Sequence, residues 1–294
     1  MTSAGAPIDR RIARRRFERA ARSYARASRI EAEIGARMLE RLDYVRAAPR
    51  RILDAGSGPS REARALAARY RGAAVIALDF SLAMLREARR GAGPFAAWSR
   101  RTRPHAVCAD LERLPLADAS IGLVWSNMVL HWLDEPLAAL REFHRVLEPG
   151  GLLMFSMLGP DSLKELRRAA GRERVHEFPD MHDIGDRLIA AGFAAPVMDM
   201  EMVRIRYAAP ERLLDDLRLS GQTRARSAAS RGLEGRSFRA RLVDALRSER
   251  APGGEFYATY EIVYGHAWKG NQTVARPSSA ERAAPLRFVP RTRE

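Results

Sequence analysis

Four residues in the first third of the chain have the types and the spacing that nucleoside binding requires. Asp54, Gly56 and Gly58 form a D-x-G-x-G sequence, and Asp79 ends the next apolar run. A glycine turn before a helix presents backbone amides to a ligand, and an acid after the following strand can accept hydrogen bonds from both ribose hydroxyls. These residues therefore predict a site for a nucleoside cofactor.

The elements that would position these residues form a strand–helix–strand unit. Ile52 and Leu53 are an apolar run before the glycines, residues 60–70 repeat apolar side chains at helical spacing, and residues 74–78 are a second apolar run. The alternative is that the glycines form only an ordinary strand-to-helix turn. The acid at position 79 favours the binding site, because open α/β sheets bind ligands at the carboxyl ends of their strands.

The glycine spacing also indicates which nucleoside is expected. The dinucleotide fingerprint G-x-G-x-x-G needs a third glycine where this chain has Arg61, so NAD is disfavoured. The sequence Asp54-x-Gly56-x-Gly58 resembles instead the first motif of class I S-adenosylmethionine (SAM) methyltransferases, D/E-x-G-x-G-x-G. The last glycine of that motif is Ser60 here, a small residue that could also cap the following helix.

Composition indicates a soluble globular protein. The chain has 294 residues, of which 46% are hydrophobic, which is compatible with one large α/β domain or with one domain and a small appendage. It contains no apolar run of about 18 residues and no apolar signal core near Met1, so a cytoplasmic protein is expected. No Ser-His-Asp arrangement and no metal-spaced Cys/His cluster appears, so no metal is expected. The single Cys108 is predicted to be a small buried hydrophobe.

The formal net charge of +15 predicts an acidic macromolecular partner. Lys164 and Lys269 are the only lysines among the 51 cationic residues, and such a bias towards arginine is what codon usage in a GC-rich genome would produce. The bias does not remove the field that the arginines create. An acidic carrier protein would be attracted by this positive field as well as a nucleic acid would.

Apolar periodicity predicts the other elements and the domain limits. Further strands are expected at residues 106–109, 121–127, 152–157, 196–207 and 256–268. Helices are expected at 9–47 (one or two), 81–90, 135–147, 161–168, 183–191, 210–220 and 238–247. Residues 1–8 are expected to be a flexible tail, 9–269 a single domain, and 270–294 a disordered tail.

Five segments together resemble one family. They are FERAARSYARAS (17–28), DAGSGPS (54–60), ADLERLPLADASIGLVWSNMVLHW (109–132), ALREFHRVLEPGGLLMFSMLGPDSLKELR (139–167) and TYEIVYGHAW (259–268). Over most of residues 10–269 the chain resembles the malonyl-[acyl-carrier protein] O-methyltransferases of biotin synthesis. The resemblance implies a Rossmann-like seven-stranded α/β sheet with helices on both faces, a helical lid over residues 9–47 and helical insertions after strand 5.

The resemblance also implies a reaction and a set of residues. The reaction is SAM-dependent esterification of the free carboxyl of a malonyl thioester on an acidic acyl-carrier protein, which makes a nucleic acid the less expected partner. The implied cofactor residues are Asp54, Gly56, Ser57, Gly58, Asp79, Phe80, Met84, Asp110, Leu111 and Asn127. Met84 would lie against the adenine, and Asp110 and the Leu111 amide would bind its edge.

Few catalytic residues are needed, because a malonyl carboxylate is already ionised near neutral pH and requires no general base. Tyr24 and His131 are candidates to orient the acceptor. Arg145 is a candidate to hold the carboxylate, with Arg204 or Arg206 as alternatives, because a guanidinium fork binds anions.

Two other functions remain open at this point. Near relatives include assembly factors of respiratory complex I that act on a protein arginine. Alternatively, Ser60 and Gly122, at positions where many relatives carry glycine and an acid, could mark a non-catalytic SAM-binding or RNA-binding protein.

Overall fold

A seven-stranded sheet is the centre of this computed structural model, which describes residues 7–90, 103–225, 236–249 and 255–270. Its strands are β1 (Arg51–Ala55), β2 (Ala74–Asp79), β3 (His105–Cys108), β4 (Ile121–Asn127), β5 (Leu147–Leu158), β6 (Ala194–Tyr207) and β7 (Phe256–Trp268). The strand order is β3-β2-β1-β4-β5-β7-β6, with β7 antiparallel to both neighbours and the first five strands parallel. The predicted Rossmann-like sheet is confirmed.

Helices cover both faces of the sheet. They are α1 (Arg10–Ala27), α2 (Arg29–Arg41), α3 (Arg61–Arg69), α4 (Leu82–Arg90), α5 (Leu137–Val146), α6 (Lys164–Ala170), α7 (Met181–Ala190), α8 (Pro210–Leu219) and α9 (Arg236–Ser248). Alternate residues of the central strands point to opposite faces, so Ile52 joins the core under α2 and α3 while Leu53 joins the core under α5 and α7. The apolar run at 121–125 in β4 follows from this burial on both faces.

The topology places the functional edge of the sheet. β1 pairs in parallel with β2 on one side and with β4 on the other, so the order in which strands are added to the sheet reverses at β1. Ligands of open α/β sheets bind at the carboxyl ends of the strands at such a switch point. The glycine turn that follows Ala55 lies at this position.

Two sequence predictions differ from the structure in this region of the fold. Cys108, predicted to be buried, is exposed. It belongs to β3, which is an edge strand of the sheet and has three exposed residues out of four. Ile8, expected in a flexible tail, is buried, and its amide donates to both carboxylate oxygens of Asp134. The predicted C-terminal tail beyond Gly270 lies outside the described residues. No described helix is sufficiently long and apolar to cross a lipid bilayer.

Candidate active site

A cleft lies at the carboxyl ends of β1, β2 and β4, and α1 forms one of its walls. Eight of the ten predicted cofactor residues line it: Gly56, Gly58, Asp79, Phe80, Met84, Asp110, Leu111 and Asn127. The other two, Asp54 and Ser57, line an adjoining pocket that shares Tyr24, Gly56, Gly58 and Asn127 with the cleft. The structure therefore brings all ten predicted residues to one continuous site.

The glycine turn after β1 passes close to the side chain of Val129, which leaves no room for a Cβ atom. Gly56 has φ of +82°, and a Cβ at this position would lie 2.4 Å from a methyl carbon of Val129. The amides of Gly56 and Ser57 both donate to the carbonyl of Leu78, at 2.8 and 2.9 Å. These bonds fix the turn to the end of β2, and they position it beside Asp79.

The carboxylate of Asp79 is held in place by backbone amides. Its Oδ2 accepts from the amide of Gly58 at 2.9 Å, and its Oδ1 accepts from the amide of Ser81 at 2.7 Å. Burial raises the pKa of Asp79 to about 6, although these two bonds act in the opposite direction. Each carboxylate oxygen can accept a further hydrogen bond, so Asp79 can accept one from each of the two ribose hydroxyls.

Ser60 does not cap α3 as the sequence suggested. It occupies the N-cap position with φ of 59° and ψ of 40°, and its side chain makes no capping hydrogen bond. A capping side chain normally requires extended backbone, whereas this position is left-handed. The glycine expected here from the motif would satisfy the same backbone without strain.

We expect Ser60→Gly to raise the free energy of unfolding by about 0.5–1 kcal/mol, because left-handed backbone costs a non-glycine residue somewhat more than glycine loses in chain entropy. Denaturant unfolding measures the change. Ser60→Ala is the matched control, and it should leave the stability within a few tenths of a kcal/mol because no cap is lost. A large loss in Ser60→Ala would contradict this account.

The adjoining pocket contains buried polar atoms that have no hydrogen-bond partner among the described residues. Oδ2 of Asp54 and Oγ of Ser57 are buried without a hydrogen bond. Burial and the nearby Glu62 raise the pKa of Asp54 well above its usual range. An ammonium group would satisfy both atoms, and Arg61 lines the same pocket as a possible partner for a carboxylate. The residues present therefore fit the amino-acid end of SAM.

The opposite end of the cleft fits an adenine. Met84 is buried against Phe17 of α1, and Phe80 packs beside them. The carboxylate of Asp110 accepts from the Arg10 guanidinium at 2.6 Å and from the amide of Glu112 at 3.1 Å. The first residue of α1 is thereby attached to the edge at which the adenine amine was predicted to bind.

Asn127, predicted to bind the cofactor, also makes hydrogen bonds within the protein. Its Nδ2 donates to the carbonyl of Glu31 at 2.9 Å, and its Oδ1 accepts from Ser156 at 2.8 Å. It therefore joins α2 to the end of β4 while it lines the cleft.

An aromatic wall separates the cleft from a second cavity. Trp132 packs edge-on against Phe17 with ring centroids 4.9 Å apart, and against His176 at 5.2 Å. Trp132 and Gln222 line both cavities. The second cavity is formed by residues of α6, α8 and α9, elements that lie far from β4 in the sequence. No sequence pattern had indicated this cavity.

His131 lines the second cavity as a neutral donor. Its Nδ1 accepts from the amide of Leu158 at 3.3 Å, so the ring proton is on Nε2. Burial, with a smaller contribution from His176, lowers the pKa of His131 to about 3. The ring can therefore orient an acceptor but cannot serve as a base near neutral pH.

The three arginines considered for carboxylate binding are not at either cavity. Arg145 donates to Glu142 at 2.7 Å and to Asp118 at 2.6 Å, and it also donates to the carbonyl groups of Leu114 and Leu116. Arg204 lies over the Tyr257 ring, and Arg206 pairs with Glu255. Arg145 thus fastens the loop before β4 to α5, and none of the three arginines lies where it could hold a carboxylate beside the cofactor cleft.

Gly122 is explained by packing. A Cβ there would lie 2.8 Å from Glu148 Oε1 and 3.0 Å from Pro49 Cβ. The position is at the start of β4, away from the residues that line the cleft. The missing acid therefore removes no side chain from the cofactor site.

Comparison with known proteins identifies the family. Residues 53–155 match the family model described as a methyltransferase domain. A malonyl-[acyl-carrier protein] O-methyltransferase from Methylovorus sp. (strain MP688) is 45% identical over 295 residues, which cover 99% of this chain and 98% of the relative. The chain belongs to the malonyl-[acyl-carrier protein] O-methyltransferase family. A second member, from Laribacter hongkongensis, is 46% identical and covers 92% of this chain and 91% of its own length.

Solved structures support the same fold at much lower identity. The YcgJ protein of Bacillus subtilis has a TM-score of 0.58 at 15% identity, covering 79% of this chain and 97% of its own. A SAM-dependent methyltransferase from Thermotoga maritima has a TM-score of 0.51 at 17% identity, covering 87% of this chain and 99% of its own. The family membership establishes a SAM-dependent methyltransferase, and the two alternative functions are not favoured.

Proposed function

We propose that this chain esterifies the free carboxyl of a malonyl thioester carried by an acyl-carrier protein, an early reaction of biotin synthesis. The supporting observation is that the Methylovorus sp. relative, named for this reaction, aligns over nearly its whole length. The alignment extends beyond the methyltransferase domain at 53–155 to α1 and α6–α9. Among these elements, α1, α6, α8 and α9 contribute to the second cavity beside the cofactor cleft.

The chemistry requires positioning rather than proton transfer. SAM, when bound, supplies a methyl group on a cationic sulfonium. The malonyl carboxylate is ionised near neutral pH, so the protein has to hold it in line with that methyl group and exclude water. Holding reacting groups in a near-attack geometry lowers a barrier by up to roughly 7–11 kcal/mol. Phe17 and Trp132 give the cleft aromatic walls that would exclude water around the bound groups.

Tyr24 and His131 act as neutral hydrogen-bond donors in this proposal. Burial and the nearby carboxylates of Glu31 and Glu62 raise the pKa of Tyr24 well above its usual range, so its phenol stays protonated. His131 stays uncharged for the reason given above. Tyr24 lines the cofactor cleft and His131 the second cavity, so each faces a different part of the bound substrates.

We expect kcat to be nearly independent of pH between pH 7 and pH 9. Within that range the acceptor carboxylate is ionised, His131 is neutral and Tyr24 is protonated, so no catalytic group changes its charge. Initial rates with saturating SAM and malonyl-carrier protein measure this. A steep rise in kcat with pH would require a general base that the proposal lacks, and would contradict it.

The carrier protein is proposed to be acidic, because the net charge of +15 favours an acidic partner, and the reaction is proposed to occur in the cytoplasm. Complementation tests the proposed function in cells. In a bacterial strain that lacks its own malonyl-carrier methyltransferase, the wild-type chain should restore growth without biotin. The Asp79→Ala variant, expressed at the same level, should not. Failure of the wild-type chain, when it is expressed and folded, would count against this acceptor.

A further inference from the structure

Two arginines lie close together at the second cavity, and the residues that the structure describes place no acid against them. Arg16 of α1 donates from Nη1 to Oγ1 of Thr223 at 2.7 Å, and Arg224 follows that threonine directly. The Nε of Arg224 is buried and has no hydrogen-bond partner. Within the described ranges of the chain, neither guanidinium forms an ion pair with a carboxylate.

This arrangement differs from that of the other arginines nearby. Arg174, which lines the same cavity, lies 3.6 Å from Glu173 and over the ring of Phe238. Burial and the positive charges of Arg19 and Arg224 lower the pKa of Arg16, with no described acid acting in the opposite direction. Two partly buried like charges are costly to hold together, and an anion between them would offset that cost.

The rest of the cavity limits the kind of anion that would fit. Its walls include Leu158, Leu163, Leu166, Leu217 and Leu242, which suit an uncharged chain. Gln222, two residues before Arg224, lines both this cavity and the cofactor cleft. The charged end of the cavity is therefore beside the site at which SAM fits.

We infer that Arg16 and Arg224 bind the terminal carboxylate of the acceptor's acyl group, and that they select a dicarboxylic acyl thioester over an uncharged one. This inference rests on the proposed function and names the residues that recognise its substrate. Methylation converts the carboxylate into a neutral ester, which loses its charge-assisted bonds to both guanidiniums. The pair would thus also favour release of the product.

The experiment uses malonyl-pantetheine and acetyl-pantetheine, which differ in one carboxylate and contain no phosphate. We expect Arg16→Gln and Arg224→Gln each to raise the KM for malonyl-pantetheine about tenfold to a hundredfold, the effect of losing one charge-assisted bond. The preference for binding malonyl- over acetyl-pantetheine should fall similarly, whereas the affinity for SAM measured by calorimetry should not change. The matched controls are Arg15→Gln, the exposed neighbour on α1, and Arg218→Gln on α8.

The outcomes separate this inference from the proposed function. If the wild-type chain methylates malonyl-pantetheine and both glutamine variants keep the KM of the controls, the arginine assignment is wrong and the function stands. If the wild-type chain binds malonyl- over acetyl-pantetheine, loses this preference in the variants, and yet forms no ester, the assignment stands and the proposed reaction is wrong. An effect seen only with malonyl-phosphopantetheine would assign the pair to the phosphate and overturn the inference. Should Arg16→Gln fail to fold, Arg16→Lys and Arg224→Gln provide the same comparison.

Discussion

Replacement of Asp79 by alanine is expected to weaken SAM binding by at least about a hundredfold. The variant loses the acceptor for two ribose hydroxyls, and hydrogen bonds to a charged group are worth roughly 1.5–3 kcal/mol each. It also releases the amides of Gly58 and Ser81, which hold the glycine turn in place. Calorimetric titration of the purified variant with SAM measures the loss directly.

Two comparisons make this result specific. Asp183→Ala, which removes an exposed carboxylate from α7, should leave SAM binding unchanged. In the wild-type chain, SAM affinity should fall as the pH drops below about 6, because protonation of Asp79 removes its negative charge. Asp79→Asn should lack that pH dependence. Unchanged SAM affinity in Asp79→Ala would remove the basis for the whole cofactor site.

Replacement of Trp132 by alanine is expected to lower kcat for methyl transfer by about a hundredfold, the usual cost of misplacing a substrate by about 1 Å. Trp132 lines both cavities and packs edge-on against Phe17 and His176, so its removal opens one cavity to the other. The loss of the edge-on pairs with Phe17 and His176 should also lower the free energy of unfolding by about 1–3 kcal/mol. Steady-state kinetics and denaturant unfolding measure the two effects.

Trp132→Phe is the matched control for this variant. A phenyl ring keeps an aromatic surface between Phe17 and His176, so we expect it to recover most of the lost kcat and stability. If Trp132→Ala were destabilised but catalysed at the wild-type rate, Trp132 would be a packing residue and the wall between the cavities would have no catalytic role.

Much of the fold could be predicted, because it depends on local sequence patterns. β4 and β7 occur at the predicted residues 121–127 and 256–268, since both segments are rich in the β-branched, aromatic and other apolar residues that favour strands. The cofactor residues were predictable for a related reason. They follow strand ends, and the ends of adjacent parallel strands meet at one edge of the sheet.

The features that the sequence did not predict depend on contacts between distant parts of the chain. The exposure of Cys108 follows from the position of β3 at the side of the sheet, and the left-handed backbone at Ser60 overrides the capping preference of serine. Arg145 has the same local sequence character as any helical arginine, and only the folded loop at 114–118 shows that its donors are occupied. Arg16 and Arg224 are more than 200 residues apart, and no spacing rule relates them.

Mass spectrometry of malonyl-carrier protein after incubation with SAM and this chain tests the central claim most directly. The account predicts that the carrier gains the mass of one methylene group on its malonyl arm, and that acetyl-carrier protein is unchanged. An unmodified malonyl arm, in a sample where calorimetry shows that the chain binds SAM, would contradict the proposed reaction.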